Sequence, residues 1–166
     1  MPVRPVLALP HPTLTAPAIP VGTVDAGARA LAADLMDTMR VSPGCVGLAA
    51  PQIGVGVRAF CVDVTGHKKT RSCHGAFVLF DPELVAAEEP ERAREGCMSV
   101  PDLTGDVLRA TKVTVTGLGV DGERRTLTVD AFEARAVLHE LDHLDGLLFV
   151  DRVPGPHALF ARKVYQ

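Results

Sequence analysis

Two histidines four residues apart, His139 and His143, with Glu140 directly after the first, form the pattern H-E-x-x-H. On a helix, residues i and i+4 lie one turn apart on the same face, so both imidazoles can aim at one point. A metal ion held there would bring its water within reach of the Glu140 carboxylate. The surrounding residues read as the helix this requires. Asp130 is a favourable N-cap, and Glu133 three positions on completes a capping-box-like pair. Ala131 to Leu144 has helix formers and no Gly or Pro, and Gly146 is a stop signal. An amphipathic helix with incidental histidines is the plain alternative, but two His and a Glu rarely meet at this spacing by accident.

A zinc peptidase would draw its third ligand from downstream. His139 to Gly146 fits the opening H-E-x-x-H-x-x-G, whose next ligand would be a His at position 149, where Phe149 stands. No Glu follows Glu140, and His157, the sole later His, sits in a Pro-rich tail. A third ligand is therefore sought upstream, in Glu95-Gly96-Cys97-Met98-Ser99. Cys97 follows a glycine at a strand-to-loop transition, and a thiolate with two imidazoles leaves the fourth tetrahedral position open, as catalytic sites require. Cys61, inside a strand, and Cys45 read as small buried hydrophobes.

The elements that must position these residues follow in order. Residues 1 to 22 are Pro-rich and irregular and read as a segment wrapping a surface. Val24 to Arg40 reads as an amphipathic packing helix, with Val24, Ala28, Leu31, Leu35 and Met39 at spacings of three and four and Thr23 or Asp25 as its cap. Val41 to Gly56 holds four glycines and two prolines, which exclude a regular helix. Its small residues Gly47, Ala49 and Ala50 permit close backbone approach. No Gly-Lys-Ser/Thr follows, so a phosphate loop is a weak reading. Leu48-Ala49-Ala50 is too apolar for water, which makes Gln52 a polar side chain carried by a buried loop, either structural or aimed into a site. Val57 to Val64 alternates as a strand. Thr65 to Gly75, with Lys68, Lys69 and Arg71, reads as a solvated tip, a ribosome or RNA contact being the lesser alternative. Ala76 to Phe80 reads as a strand closed by Asp81-Pro82, and Leu84 to Ala87 with Glu91 to Arg94 as a pair around Pro90. Lys112 to Leu118 and Arg124 to Val129 form a hairpin across Gly119 to Gly122. Helix, antiparallel strands, then helix is an α+β order.

With 166 residues, one domain spanning 1–166 is the default. The chain is 47% apolar but 4% aromatic, so Val, Leu and Ala must fill its core. A net charge of −3 with both signs interspersed argues against nucleic-acid specificity. No run of about 18 apolar residues suggests a membrane span, and the proline-broken start Met1-Pro2-Val3-Arg4-Pro5 does not read as a secretory signal. Four cysteines without a disulfide framework or C-x-x-C spacing suit a reducing, cytoplasmic compartment.

Three pieces in order, Gly47-Leu48-Ala49-Ala50-Pro51-Gln52, Glu95-Gly96-Cys97-Met98-Ser99 and His139-Glu140-Leu141-Asp142-His143-Leu144-Asp145-Gly146, resemble the three signature motifs of the peptide deformylase family. The opening Leu9-Pro10-His11-Pro12 with Ala18-Ile19-Pro20-Val21 is similar as well. The resemblance runs from about residue 7 to Val153. It implies antiparallel β-sheets packed around a central metal-binding helix. It implies Cys97, His139 and His143 as ligands of one divalent ion, usually Fe²⁺, with Zn²⁺, Ni²⁺ or Co²⁺ also able to occupy the site. The implied substrates are N-formyl-methionyl peptides. The resemblance further implies attack on the formyl carbon by hydroxide that such a metal would supply, with Glu140 carrying the proton to the leaving amine and the Gln52 amide and Met98 N–H stabilising the oxyanion. Val46, Gly47, Leu48 and Gln52 are the implied substrate-binding residues.

The chain departs from the family pattern at identifiable places. Cys45 stands for the first Gly of motif one, Met98 for Leu, and Leu138 for the Gln before the first His. Asp102-Leu103-Thr104 lacks the Arg that often follows Pro101 and touches substrate. Arg109 matches a family Arg and is expected to brace Glu95 or Asp142. The tail Pro156 to Gln166, with Arg162 and Lys163, does not by itself imply a transient ribosome contact. Because the supporting residues differ, a divergent paralogue removing another N-acyl group is a second reading. A non-catalytic binding module is a third, and retention of Glu140 speaks against it.

Overall fold

The computed structural model describes residues 3–162, so Met1 and Pro2 of the proline-broken start and Lys163 to Gln166 of the tail lie outside the described residues. Five antiparallel strands run along one sheet in chain order: β1 (Gly47–Ala49), β2 (Ala59–Val62), β3 (Phe77–Cys97), β4 (Val100–Leu118) and β5 (Arg124–Asp130). A sixth, β6 (Leu159–Ala161), pairs with β4 at Leu103–Gly105. Three helices pack on this frame: α1 (Pro12–Thr15), α2 (Ala26–Val41) and α3 (Ala131–Leu144). The architecture is the expected α+β one.

Both faces of the inner sheet are covered, and β2 shows how. All four of its residues are buried. Phe60 and Val62 point toward α3, where they join Leu79, Val113, Val115, Val137, Leu141 and Leu144. Ala59 and Cys61 point the other way, toward Leu31, Leu35 and Met39 of α2. The period-2 alternation therefore separates two cores rather than core from solvent. Each such aliphatic side chain contributes about 1.5–3 kcal/mol on burial, and this is what holds α3 inside the fold despite its buried His139, Glu140 and His143. A third cluster, Leu14, Cys97, Val100, Val107, Leu148 and Phe149, closes the far end.

Local expectations hold unevenly. Helix α2 is capped by Asp25, whose Oδ1 accepts from the Ala28 N–H at 2.8 Å. Helix α3 has the expected bounds, but not the expected cap. The Asp130 side chain makes no cap bond and accepts instead from Ser72 Oγ, while Glu133 accepts from the backbone N–H of His74 and pairs with its ring. The N-terminal segment is not wholly irregular, since it contains α1 and buries Leu14 completely. The Val41–Gly56 loop contains β1 and a 3₁₀ turn over Ala50–Ile53.

Asp81-Pro82 and Pro90 do not end or divide a strand. They lie within β3, and Leu84–Ala87 and Glu91–Arg94 are successive parts of it, both paired with β4. Two register shifts beside Asp81 absorb its positive φ of 48°, and the Asp81 carboxylate accepts from the N–H groups of Val21 and Gly22. Pairing with β2 stops at Phe80. Beyond it β3 has an open edge, where a proline without N–H is tolerated.

Candidate active site

Helix α3, the end of β3 and the 3₁₀ turn meet at one point. His139 and His143 present Nε2 atoms 3.2 Å apart, and Cys97 Sγ lies 3.4 Å from His143 Nε2. The three ligand atoms all lie within 4.8 Å of one another, and all three residues are buried. Cys97 reaches this point because β3 ends there, at a tight turn over Met98 and Ser99 into β4.

Two borderline nitrogens and a soft sulfur aimed at one point are a donor set for a divalent transition metal. The outer contacts fit as well. His139 Nδ1 lies 2.5 Å from Glu95 Oε1, the carboxylate–histidine arrangement that orients a metal-binding imidazole. His143 Nδ1, by contrast, is buried without a protein partner among the described residues. Burial works against charge on both rings. It is outweighed in His139 by contact with Cys97 and Glu95, which raises its pKa. In His143 burial prevails, reinforced by the His139 charge, and its pKa is lowered.

Glu140 stands beside this centre. It is 3% exposed, and its Oε1 is buried without a partner among the described residues. Burial pushes its pKa up to about 7 against the opposing charge of His139. A carboxyl with this pKa and an unengaged oxygen suits general acid–base work near neutral pH. The backbone of β1 presses against it, and a Cβ on Gly47 would stand 2.7 Å from Glu140 Oε2.

Gln52 is held at 2% exposure. Its Oε1 accepts from the Ala49 N–H at 3.0 Å, which turns Nε2 toward Ser99 Oγ at 3.0 Å and Cys97 Sγ at 3.5 Å. The amide thus points into the site. The backbone N–H of Met98 has no protein acceptor among the described residues. Both are donors placed beside the ligand cluster.

A cleft of about 390 Å³ opens onto the cluster, bounded by Cys45 to Gly47 on one side and Glu95 to Met98 on the other. Strand β1 is an edge strand. Val46 O accepts from Asp63 N, so by the alternation of an antiparallel ladder the N–H and C=O of Gly47 face away from β2 and toward the cleft. Of the residues implied to bind substrate, Val46, Gly47 and Gln52 line the cleft and Leu48 does not. Its side chain is fully buried in the core beneath α2, because the strand alternates. Cys45 is not the fully buried hydrophobe that its sequence context suggested. It is half-buried and lines the cleft, where its thiol donates to Gly47 O at 3.1 Å.

Buried charge braces the site. Arg109 spans Glu95 (Nη2–Oε1 2.8 Å, Nε–Oε2 3.1 Å) and Asp142 (Nη1–Oδ2 2.6 Å), both of the partners its position suggested. Arg135 donates to Glu95 Oε2, and Arg152 to both oxygens of Asp142. Burial alone would raise the pKa of Glu95, but the hydrogen bonds from His139 and Arg109 win and hold its carboxyl well below the usual range. The sequence did not single out Arg135, Arg152 or the Glu95–His139 contact. Glu95 carried one signal, since it stands two residues before Cys97 and residues i and i+2 of a strand share a face.

A profile of the family described as polypeptide deformylase matches residues 3–158. A peptide deformylase of Methylocella silvestris is 40% identical over 154 residues, spanning 92% of this chain and 78% of the relative. The crystal structure of a peptide deformylase from Legionella pneumophila superposes with a TM-score of 0.84 at 39% identity, over 93% of this chain and 88% of that one. A Met-Ala-Ser-bound class I type b peptide deformylase from Acinetobacter baumannii superposes with a TM-score of 0.81 at 34% identity, over 91% and 98% of the two chains.

Proposed function

The chain belongs to the polypeptide deformylase family, metal-dependent hydrolases that remove the N-formyl group, and from that membership we propose that Cys97, His139 and His143 hold its catalytic ion. Iron(II) is the proposed native metal, and the donor set also accepts Zn²⁺, Ni²⁺ or Co²⁺. A divalent ion there supplies Lewis acidity toward the formyl carbonyl and lowers the pKa of water. The observation that carries this reading is the convergence of three ligand atoms next to a buried, unpartnered carboxylate oxygen on Glu140.

The remaining steps belong to the protein. Glu140 Oε1 accepts the proton of the attacking water and passes it to the departing amine. Gln52 Nε2 and the Met98 N–H donate to the oxygen on which negative charge develops, and losing one such donor costs about 10²–10³ in rate. The outward N–H and C=O of Gly47 pair with the substrate backbone, which lies in the cleft as an added strand. The substrate is the formyl-methionyl end of a peptide, and the Met-Ala-Ser bound to the Acinetobacter relative is what such a peptide becomes once its formyl group is removed. Such chains emerge during protein synthesis, which puts the enzyme in the cytoplasm. No helix among the described residues is long and apolar enough to cross a membrane.

The test is formate release from a formyl-Met tripeptide, with protein purified without oxygen, loaded with Fe²⁺ or Ni²⁺, and assayed beside Glu140→Ala. Turnover that disappears in the variant at equal metal content supports both the reaction and the role of Glu140. Stoichiometric metal with no formyl turnover, but hydrolysis of acetyl or longer acyl peptides, would move the assignment to a divergent deacylase.

A further inference from the structure

We propose that Arg162 recognises a carboxylate one or two residues downstream of the formylated residue, so that the cleft favours acidic peptide ends. The inference rests on the deformylase reading and concerns its specificity.

Strand β6 brings this residue to the site. Arg162 N donates to Asp102 O, and the Ala161–Leu103 and Phe160–Thr104 pairs fix the segment beside the turn that carries Cys97. The guanidinium lies across Gly96, where a Cβ would meet Nη2 at 2.8 Å. Nη2 donates to Cys97 O at 3.2 Å and Leu103 O at 3.4 Å. The cation is thus pinned one peptide unit from the metal-ligating thiol, on the wall of the cleft. Among the described residues, its Nε and Nη1 have no partner and no carboxylate lies within ion-pair reach.

The other cleft cations differ in how far they are already engaged. Arg135 is committed to Glu95, while Arg94 pairs with Asp106 at 2.8 Å and lies over the Phe160 ring at 3.8 Å. Lys68 and Lys69 on the facing loop have no ion-pair partner among the described residues. The lining carboxylates, Glu95 and Glu140, are buried in the catalytic machinery. The mouth of the cleft is therefore cationic on a chain of net charge −3. A free guanidinium edge matches a carboxylate better than any neutral group. An extended peptide rises about 3.3 Å per residue, so the second and third residues pass within reach of a cation anchored at Cys97 O.

The experiment compares metal-loaded enzyme on formyl-Met-Ala-Ser as its free acid and as its amide, and on the amides of formyl-Met-Ala-Asp, formyl-Met-Asp-Ala and formyl-Met-Ala-Lys. The carboxylate substrates should exceed the neutral amide by about tenfold in kcat/KM, expressed in KM, which is the scale of one charge-assisted hydrogen bond. The advantage should shrink in 0.5 M salt. An advantage confined to the free acid assigns the site to a chain terminus, and one shared by the Asp amides assigns it to side chains. In Arg162→Gln the acid-to-neutral ratio should fall to one, while Arg162→Lys keeps part of it. A purely structural role would lower all substrates alike and leave the ratio unchanged. Equal KM for acid and amide in the wild type, or a ratio that survives Arg162→Gln, overturns the proposal. If no formyl peptide is turned over, the deformylase reading fails instead. Calorimetric binding of Met-Ala-Asp amide against Met-Ala-Asn amide then decides the Arg162 question separately.

Discussion

A Cβ on Gly47 would stand 2.7 Å from Oε2 of Glu140 and 3.1 Å from its Cδ, so edge strand and central helix meet at the Glu140 carboxylate with no room for a methyl group. Glu140 cannot retreat into solvent, being 3% exposed. Gly47→Ala must therefore displace it from the position in which it is proposed to act as general acid–base. A shift on the order of 1 Å in a reacting group costs about 10²-fold in rate. The expected outcome is that loss in kcat/KM with metal content unchanged, measured by formate release and metal analysis on one preparation. Full activity in the variant would show that the close approach has no catalytic consequence.

Arg109 is 5% exposed and bridges two carboxylates that are themselves buried, Glu95 and Asp142. Removing one partner of such a network leaves uncompensated buried charge and costs about 3–5 kcal/mol. Arg109→Ala should lose that much stability in urea unfolding. It should also bind metal less tightly, because Glu95 orients His139. Arg109→Lys should recover only part, since one ammonium cannot span both carboxylates in the same geometry. Unchanged metal content and activity in Arg109→Ala would reject the bracing role.

Helix α3 was legible because its whole signature is local, namely a polar start, uninterrupted helix formers, H-E-x-x-H and a terminal glycine. Its cap was not legible, because Asp130 is engaged by Ser72 at the other end of a long sequence separation. The length of β3 was hidden for a related reason. Asp81-Pro82 and Pro90 are local stop signals, and what overrides them is distant: the N–H groups of Val21 and Gly22 on Asp81, and the end of β2 pairing at Phe80. The proposed ligands could be found from the motifs, whereas Arg135, Arg152 and Arg162 lie outside them and reach the site only through folding. Leu48 illustrates the limit of a motif, since adjacent positions of a strand face opposite ways and one motif serves both cleft and core.

The cysteines set an alkaline limit on stability. Burial, with the Glu140 charge next, pushes the Cys45 thiol up from 9.0 to about 12, and burial pushes Cys61 well above 9.0. A raised thiol pKa means that the native state keeps a proton which the unfolded chain releases first. The contribution is whole below pH 9 and is lost as pH rises toward 12. Urea unfolding between pH 8 and 11 should show stability falling with pH, less steeply in Cys45→Ala. Identical slopes for the two proteins would refute this assignment. Exposed Cys73 should also be alkylated faster than Cys45 at pH 8.

Gly146 completes the end of the catalytic helix in a way no other residue can. It has φ 78°, its N–H donates to His143 O at 3.1 Å, and Leu147 N donates to Asp142 O at 2.9 Å, which together make a Schellman motif. Ala18 N and Arg58 Nη1 take the Leu144 carbonyl, at 2.8 and 3.1 Å. A Cβ at Gly146 would meet Thr15 O at 2.8 Å, a backbone atom that cannot swing aside. Gly146→Ala therefore adds a clash with the N-terminal segment to a left-handed penalty of about 1–2 kcal/mol. A loss of at least that size is expected in urea unfolding. Arg58→Ala should cost less, because its ion pair with Asp145 is partly exposed. The damage should also reach the proposed metal site, since the Gly146 N–H donates to the carbonyl of His143. A fall in metal affinity in Gly146→Ala but not in Arg58→Ala would show that the turn positions that ligand, and equal affinities in the two variants would confine Gly146 to stability alone.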